Sequence, residues 1–240
     1  MLSDKTFAKR VHDYQQKLSE EKFDLPSDFK VINPFCGNQR EKVWKTTKFF
    51  YEKYYDDTGT RKLILGSCPS RRSSAITGVP FEDMGYLQRE TGICFSESGE
   101  SGILSGFLHD VIQTYGGREK FYRDFYMNFV FPLGIVKINL KGRQVNANYY
   151  EDKELEKDLY SFMIESIQDQ IDLGIDRSVC YCIGSGGNYN FLSRLNKEFN
   201  FFEKIIPLEH PRFIMQYNSD RKEEFLDKYV NALRYPDEVI

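Results

Sequence analysis

Histidine is scarce in this chain, with three in 240 residues, and cysteine is sparse and scattered, at Cys36, Cys68, Cys94, Cys180 and Cys182. Five is an odd number, and the spacings form neither a disulfide framework nor a zinc or iron–sulfur ligand set. No metal and no cofactor are expected, and burial is the default for every cysteine except Cys68. The first residues carry no charged-then-apolar leader and no long uncharged apolar run follows, so a soluble, cytoplasmic protein is expected. Strong positive charge is missing too. A net charge of −3 and an isoelectric point near 5.8 count against a protein that coats nucleic acid nonspecifically, while leaving room for a small basic patch.

What is present is apolar. A hydrophobic fraction of 40%, with 15% aromatic residues, suffices for a packed core and argues against disorder. No internal repeat or low-complexity linker divides the chain. One domain over residues 1–240 is expected, with residues 1–30 as an N-terminal helical extension.

After Ser3 or Asp4 as N-cap, Phe7, Val11, Tyr14 and Leu18 recur at helical spacing and predict a first helix ending near Glu21. A second helix is expected over about 38–55, its aromatic stripe facing the core. Beyond it the pattern alternates. Short apolar strands are expected at 62–66, within 126–132 (with 135–138 as an extension), at 178–183 and at 204–208. Helical stretches lie between them at about 103–115, 118–124 and 152–173, the last closed by Gly174, and a final helix covers about 220–233. Such alternation implies right-handed crossovers and a three-layer α/β/α fold around a four-stranded, mainly parallel sheet. Ligands of such sheets bind beyond the carboxyl ends of the strands.

Three of those strand ends are unusual. The first runs Gly66-Ser67-Cys68-Pro69-Ser70-Arg71-Arg72-Ser73-Ser74-Ala75-Ile76-Thr77-Gly78-Val79-Pro80-Phe81-Glu82-Asp83. A long loop held by prolines and glycines is costly to order unless it lines a site. On composition alone it reads equally as a surface loop whose Phe81 plugs the core. The second is Leu208-Glu209-His210-Pro211-Arg212-Phe213, where a lone histidine is by itself more often structural than catalytic. A third, Gly184–Asn188, is a glycine-rich strand-to-helix turn. Its free amides, Gly186 among them, could hold a phosphate, although ordinary tight turns use the same residues.

The first segment resembles motif 1 of SMUG-type uracil-DNA glycosylases, in which Gly-X-Asn-Pro-Gly is followed by Thr-Gly-Val/Ile-Pro-Phe. Gly66 and Pro69 match the first part, and Thr77-Gly78-Val79-Pro80-Phe81 the second, at the same separation. His210-Pro211 stands where that superfamily keeps its second motif, and the Arg-Phe continuation is similar to a bacterial SMUG-like subgroup. Asn33-Pro34-Phe35, Tyr115-Gly116-Gly117, Pro132-Leu133-Gly134 and Asn148-Tyr149-Tyr150 extend the likeness over roughly residues 30 to 230.

The resemblance implies that DNA is the partner of a monomeric enzyme, that Phe81 stacks on an extruded base with Ser67 beside it, and that His210 donates a hydrogen bond to the departing pyrimidine. Ser70, Arg71, Arg72, Pro211, Arg212 and Phe213 are implied DNA contacts, with Lys141 or Arg143 as additions to a basic rim. Asn128 lies on the strand where the superfamily places its base-reading asparagine, in a shifted register; an ordinary strand-exit asparagine is the alternative. The chain departs from the pattern at Cys68, which replaces the water-positioning asparagine by a thiol, a poor acceptor. Asp83 and Glu82 are carboxylates that could take over, or plain acids at a helix start. The expected function is excision of uracil or a related deaminated base from DNA. The alternatives are a catalytically silent nucleic-acid or base-binding module on the same fold, an unrelated small-molecule hydrolase, and a covalent trap through Cys68.

Overall fold

The computed structural model describes residues 5–95 and 103–238, for 103–105 the backbone alone. Among these residues the chain runs α1 (Phe7–Glu20), β1 (Phe29–Ile32), α2 (Arg40–Tyr55) and β2 (Arg61–Gly66), then two short helices, α3 (Ser74–Thr77) and α4 (Met84–Thr91). After α5 (Ile103–Tyr115) and α6 (Arg118–Asp124) come β3 (Phe125–Phe129), β4 (Gly134–Ile138) and β5 (Gln144–Asn146). The remainder alternates through α7 (Lys153–Asp172), β6 (Ile175–Ile183), α8 (Gly187–Phe199), β7 (Lys204–Leu208), α9 (Pro211–Tyr217) and α10 (Lys222–Arg234).

The expected central sheet is there, four strands in the order β3-β2-β6-β7, every pairing parallel. Successive residues of a strand point to opposite faces, and β3 shows what covers each. Phe125 meets Tyr115 of α5 and Tyr181 of β6, whose hydroxyl donates to the Ala232 carbonyl of α10. Tyr126, one residue on, packs on Phe7 of α1 and Tyr51 of α2. Helices thus flank both faces, and all five residues of β3 are buried.

The N-terminal helix is capped by Thr6, whose side chain accepts from the Lys9 amide; Ser3 and Asp4, the expected caps, lie outside the described residues. Its apolar stripe enters the main core. Phe7 and Val11 are fully buried, and the hydroxyls of Tyr14 and Ser166 of α7 share a hydrogen bond of 2.8 Å. Phe7 also lies over the guanidinium of Arg61, 4.6 Å from its ring centroid. Arg61 has a fully buried side chain, satisfied by Asp57 and by the carbonyls of Gly59 and Tyr122.

One expectation is corrected. Residues 135–138 do not extend β3; β4 belongs to a second, antiparallel sheet of order β1-β4-β5. Pro132 offers no amide to continue a ladder, and Gly134 permits a close crossing: a side-chain carbon there would come within 2.8 Å of Ala75 Cβ. This small sheet matters because β5 delivers Asn146, Ala147 and Asn148 to the carboxyl end of the main sheet.

Candidate active site

The loops after β2 and β7 meet, as expected, in one cavity of about 170 Å³, to which Phe81 and His210 both contribute. The first loop starts as a continuation of the sheet. The amides of Val130 and Phe131 donate to the carbonyls of Gly66 and Ser67 at 2.9 and 3.0 Å. Gly66 is required by its neighbours, since a side-chain carbon there would come within 2.6 Å of the Phe81 ring and 2.9 Å of Phe129. Those two rings stack at 4.6 Å with 23° between their planes.

Phe81 holds a backbone φ of +62°, left-handed and costly for a residue with a bulky side chain. Three anchors impose it. The Phe81 amide donates to Ser74 Oγ at 3.0 Å. Glu82 is buried, and its carboxylate accepts from Arg118 Nε and Nη2 at 3.0 and 3.1 Å and from the Tyr122 hydroxyl. Asp83 caps α4, accepting from the Tyr86 amide at 2.8 Å. Both acids line the cavity, but Glu82 is committed to a buried ion pair and Asp83 to a helix start.

His210 is the N-cap of α9, with Pro211 in the first turn, where a missing amide loses nothing. Its Nδ1 accepts from the Arg212 amide at 3.1 Å. Burial and then the neighbouring Arg212 charge lower its pKa to about 4. An imidazole that is neutral and accepts at Nδ1 carries its proton on Nε2. The ring is therefore a fixed, uncharged donor.

Cys68 is a thiol here and not a thiolate. Burial raises its pKa to about 12, and its one Sγ–H donates to the Ala147 carbonyl at 3.2 Å, with Asn148 Oδ1 3.4 Å from the sulfur. Ser67 donates to the same Asn148 Oδ1 at 2.8 Å, and Asn148 Nδ2 donates to Glu151 Oε1 at 2.6 Å. Asn146 ties the arm to the loop once more, accepting from the Arg71 amide and donating to Ser70 Oγ.

Of the residues singled out in the sequence, Ser67, Cys68, Ser70, Arg72, Phe81, Asp83, His210, Pro211 and Arg212 line this cavity. Asn128, Arg71, Phe213 and Gly186 are not among its walls. Asn128 shares the face of Tyr126, to whose hydroxyl it donates at 2.9 Å, and it is Phe129, one residue on, that faces the cavity. Phe213 is about half exposed on α9. Gly186 is exposed at the start of α8, beside Gly187, which packs against the Tyr150 ring. Reading the residues in order missed Asn146, Asn148 and Phe129 as wall residues; for Asn148 the only signal was its place in the Asn148-Tyr149-Tyr150 segment. Among the described residues no group of three His, Cys, Asp or Glu side chains gathers as a metal site, and no helix is long and apolar enough to cross a membrane.

The model of the uracil DNA glycosylase superfamily matches residues 52–234. No curated protein matches the chain. Among solved structures, the crystal structure of wild-type SMUG2 from Pedobacter heparinus is similar over 97% of this chain and 98% of that one, with 40% identity and a TM-score of 0.89.

Proposed function

This chain belongs to the uracil DNA glycosylase superfamily, and on that premise we propose that it flips uracil or a related deaminated base out of DNA and hydrolyses its N-glycosidic bond. One observation carries the reading: Phe81 and a neutral, donor-fixed His210 share one cavity.

An extruded base loses its stacking in DNA, at a few kcal/mol, and regains an aromatic face on Phe81. As the C1′–N bond stretches, negative charge gathers on the pyrimidine. A neutral Nε2–H strengthens its hydrogen bond to that charge without first giving up a proton of its own. One such preorganised donor is worth about 3–4 kcal/mol of barrier, or two to three decades in rate. The imidazole is already held by the Arg212 amide, so little reorganisation accompanies the reaction. Arg72 and Arg212 at the rim supply positive charge for the phosphates on either side of the flipped nucleotide.

The silent-module reading has its own observation, the thiol of Cys68 in place of an amide. Product formation separates the two. Purified protein, incubated with single- and double-stranded oligonucleotides carrying uracil, hypoxanthine or xanthine, should release free base and leave alkali-labile abasic sites. Tight binding with no base released from any of them would favour the silent module. A thiol whose proton is held by the Ala147 carbonyl and whose pKa is raised speaks against a covalent trap.

A further inference from the structure

With the glycosylase reading taken as given, we infer that a three-residue relay, Glu151–Asn148–Ser67, replaces the missing motif-1 asparagine, with Ser67 Oγ as the acceptor that holds the attacking water and Asn148 as its positioning residue. The hydrogen bonds run in one direction. Glu151 is a carboxylate and can only accept, so the amide that donates to it must turn its nitrogen that way and its oxygen toward the cavity. That oxygen receives the one proton of Ser67 at 2.8 Å. With its proton committed, the hydroxyl faces any water with lone pairs alone. A side chain that is otherwise both donor and acceptor becomes an acceptor, the role an asparagine carbonyl would fill.

Cys68 fits this arrangement as a spacer. Its one thiol proton donates to the Ala147 carbonyl, and its sulfur lies 3.4 Å from Asn148 Oδ1, filling the space beside the amide. The members come from two distant stretches of chain. Ser67 and Cys68 follow β2, Asn148 follows β5, and Glu151 ends the 3₁₀ turn that leads toward α7. Ser67, Cys68 and Asn148 share the cavity with Phe81 and His210, so the acceptor lies in the same space as the reacting sugar. The reaction balances as water plus N-glycoside giving sugar 1′-hydroxyl plus free base. The C1′–N bond breaks with its electron pair on the base, the water oxygen bonds to C1′, and the proton released by that water reaches the base anion through solvent.

Single-turnover base release from a uracil oligonucleotide tests the relay, with Kd for a non-cleavable abasic-analogue oligonucleotide measured alongside. Ser67→Ala, which deletes a single oxygen, and Asn148→Ala should each slow cleavage by about tenfold or more at unchanged Kd. Ser67→Thr keeps the hydroxyl and should stay within about threefold of wild type. Adding Cys68→Asn to Asn148→Ala returns an amide acceptor beside the water and should recover most of the loss, a rescue that a merely structural role for Asn148 would not give. An active wild type matched in rate by both Ser67→Ala and Asn148→Ala would overturn the relay and leave the glycosylase reading standing. A wild type that releases no base from any oligonucleotide would overturn both.

Discussion

On the side of the cavity proposed to face the departing base, one histidine is oriented by one backbone amide at a helix start. On the side that would hold water, Ser67, Cys68, Asn148 and Glu151 orient one another through side chains drawn from two segments. The difference follows from what each side must supply. A donor needs only a defined tautomer, which two consecutive residues, His210-Pro211, provide with the first turn of α9. An acceptor made from a hydroxyl needs its proton occupied, which takes a partner, and the partner needs its own orientation fixed. The first arrangement has few parts and little freedom to change. The second can be rebuilt from other residues, which is how a thiol can stand at Cys68 in a cavity of otherwise recognisable design.

The sharpest break of this comparison is on the donor side. His210→Ala should lower single-turnover cleavage by about two decades or more while leaving DNA affinity nearly intact, because the hydrogen bond it removes matters most when charge has developed on the base. Equal rates for His210→Ala and wild type would remove the donor side from the mechanism. The acceptor side predicts less from a single gain. Cys68→Asn in the wild-type background should raise uracil excision only about threefold, since an acceptor is already in place. A gain of two decades would mean that Ser67 holds no water.

A pH profile distinguishes the two sides without mutation. The folded pKa of His210 is lowered to about 4, below its ordinary value of 6.5, so the neutral ring is retained through the mildly acidic range. The excision rate should therefore show no inflection attributable to His210 near pH 6.5 and should fall only as pH approaches 4. The sign for stability follows from the same shift. The unfolded chain takes up the proton first, so the stability contributed by the neutral ring is present above about pH 6.5 and is lost as pH falls toward 4. His210→Gln should lessen that acid-side decline in thermal-unfolding measurements. The smallest effect belongs to the rim. Replacing Arg71 and Arg72 together by Ala should flatten the dependence of log affinity on log salt by ~0.7–0.9 for each phosphate deprived of its arginine. An unchanged slope would place the DNA on other residues.

The parallel sheet was legible because its strands are apolar runs separated by helical periodicity, and both motif loops were legible because they start where those runs stop. The second sheet was not. β1 has four residues, and β5 has three, all exposed, so neither shows the alternation that marks a half-buried strand. Asn128 illustrates the resolution of such reading. The right strand was identified, but a strand has a period of two, and a shift of one residue exchanges the cavity face for the helix face. Asn148 carries no local mark of its place. Its importance comes from β5 lying beside β4, a pairing that brings it within reach of Ser67, 81 positions earlier.

The contact between Phe7 and Arg61 bears on how the protein can be divided. Residues 52–234 include the whole main sheet and every wall of the cavity, and they suggest themselves as a fragment to express. Cutting there would lift an aromatic cover from a guanidinium with no solvent of its own and strip Tyr126 of the Phe7 and Tyr51 rings. It would also leave the Ser166 hydroxyl without Tyr14. The stretch that lines the cavity and the stretch that folds are different lengths of chain, and a shorter version of this molecule would have to find a new surface for the side of β3 that α1 now covers.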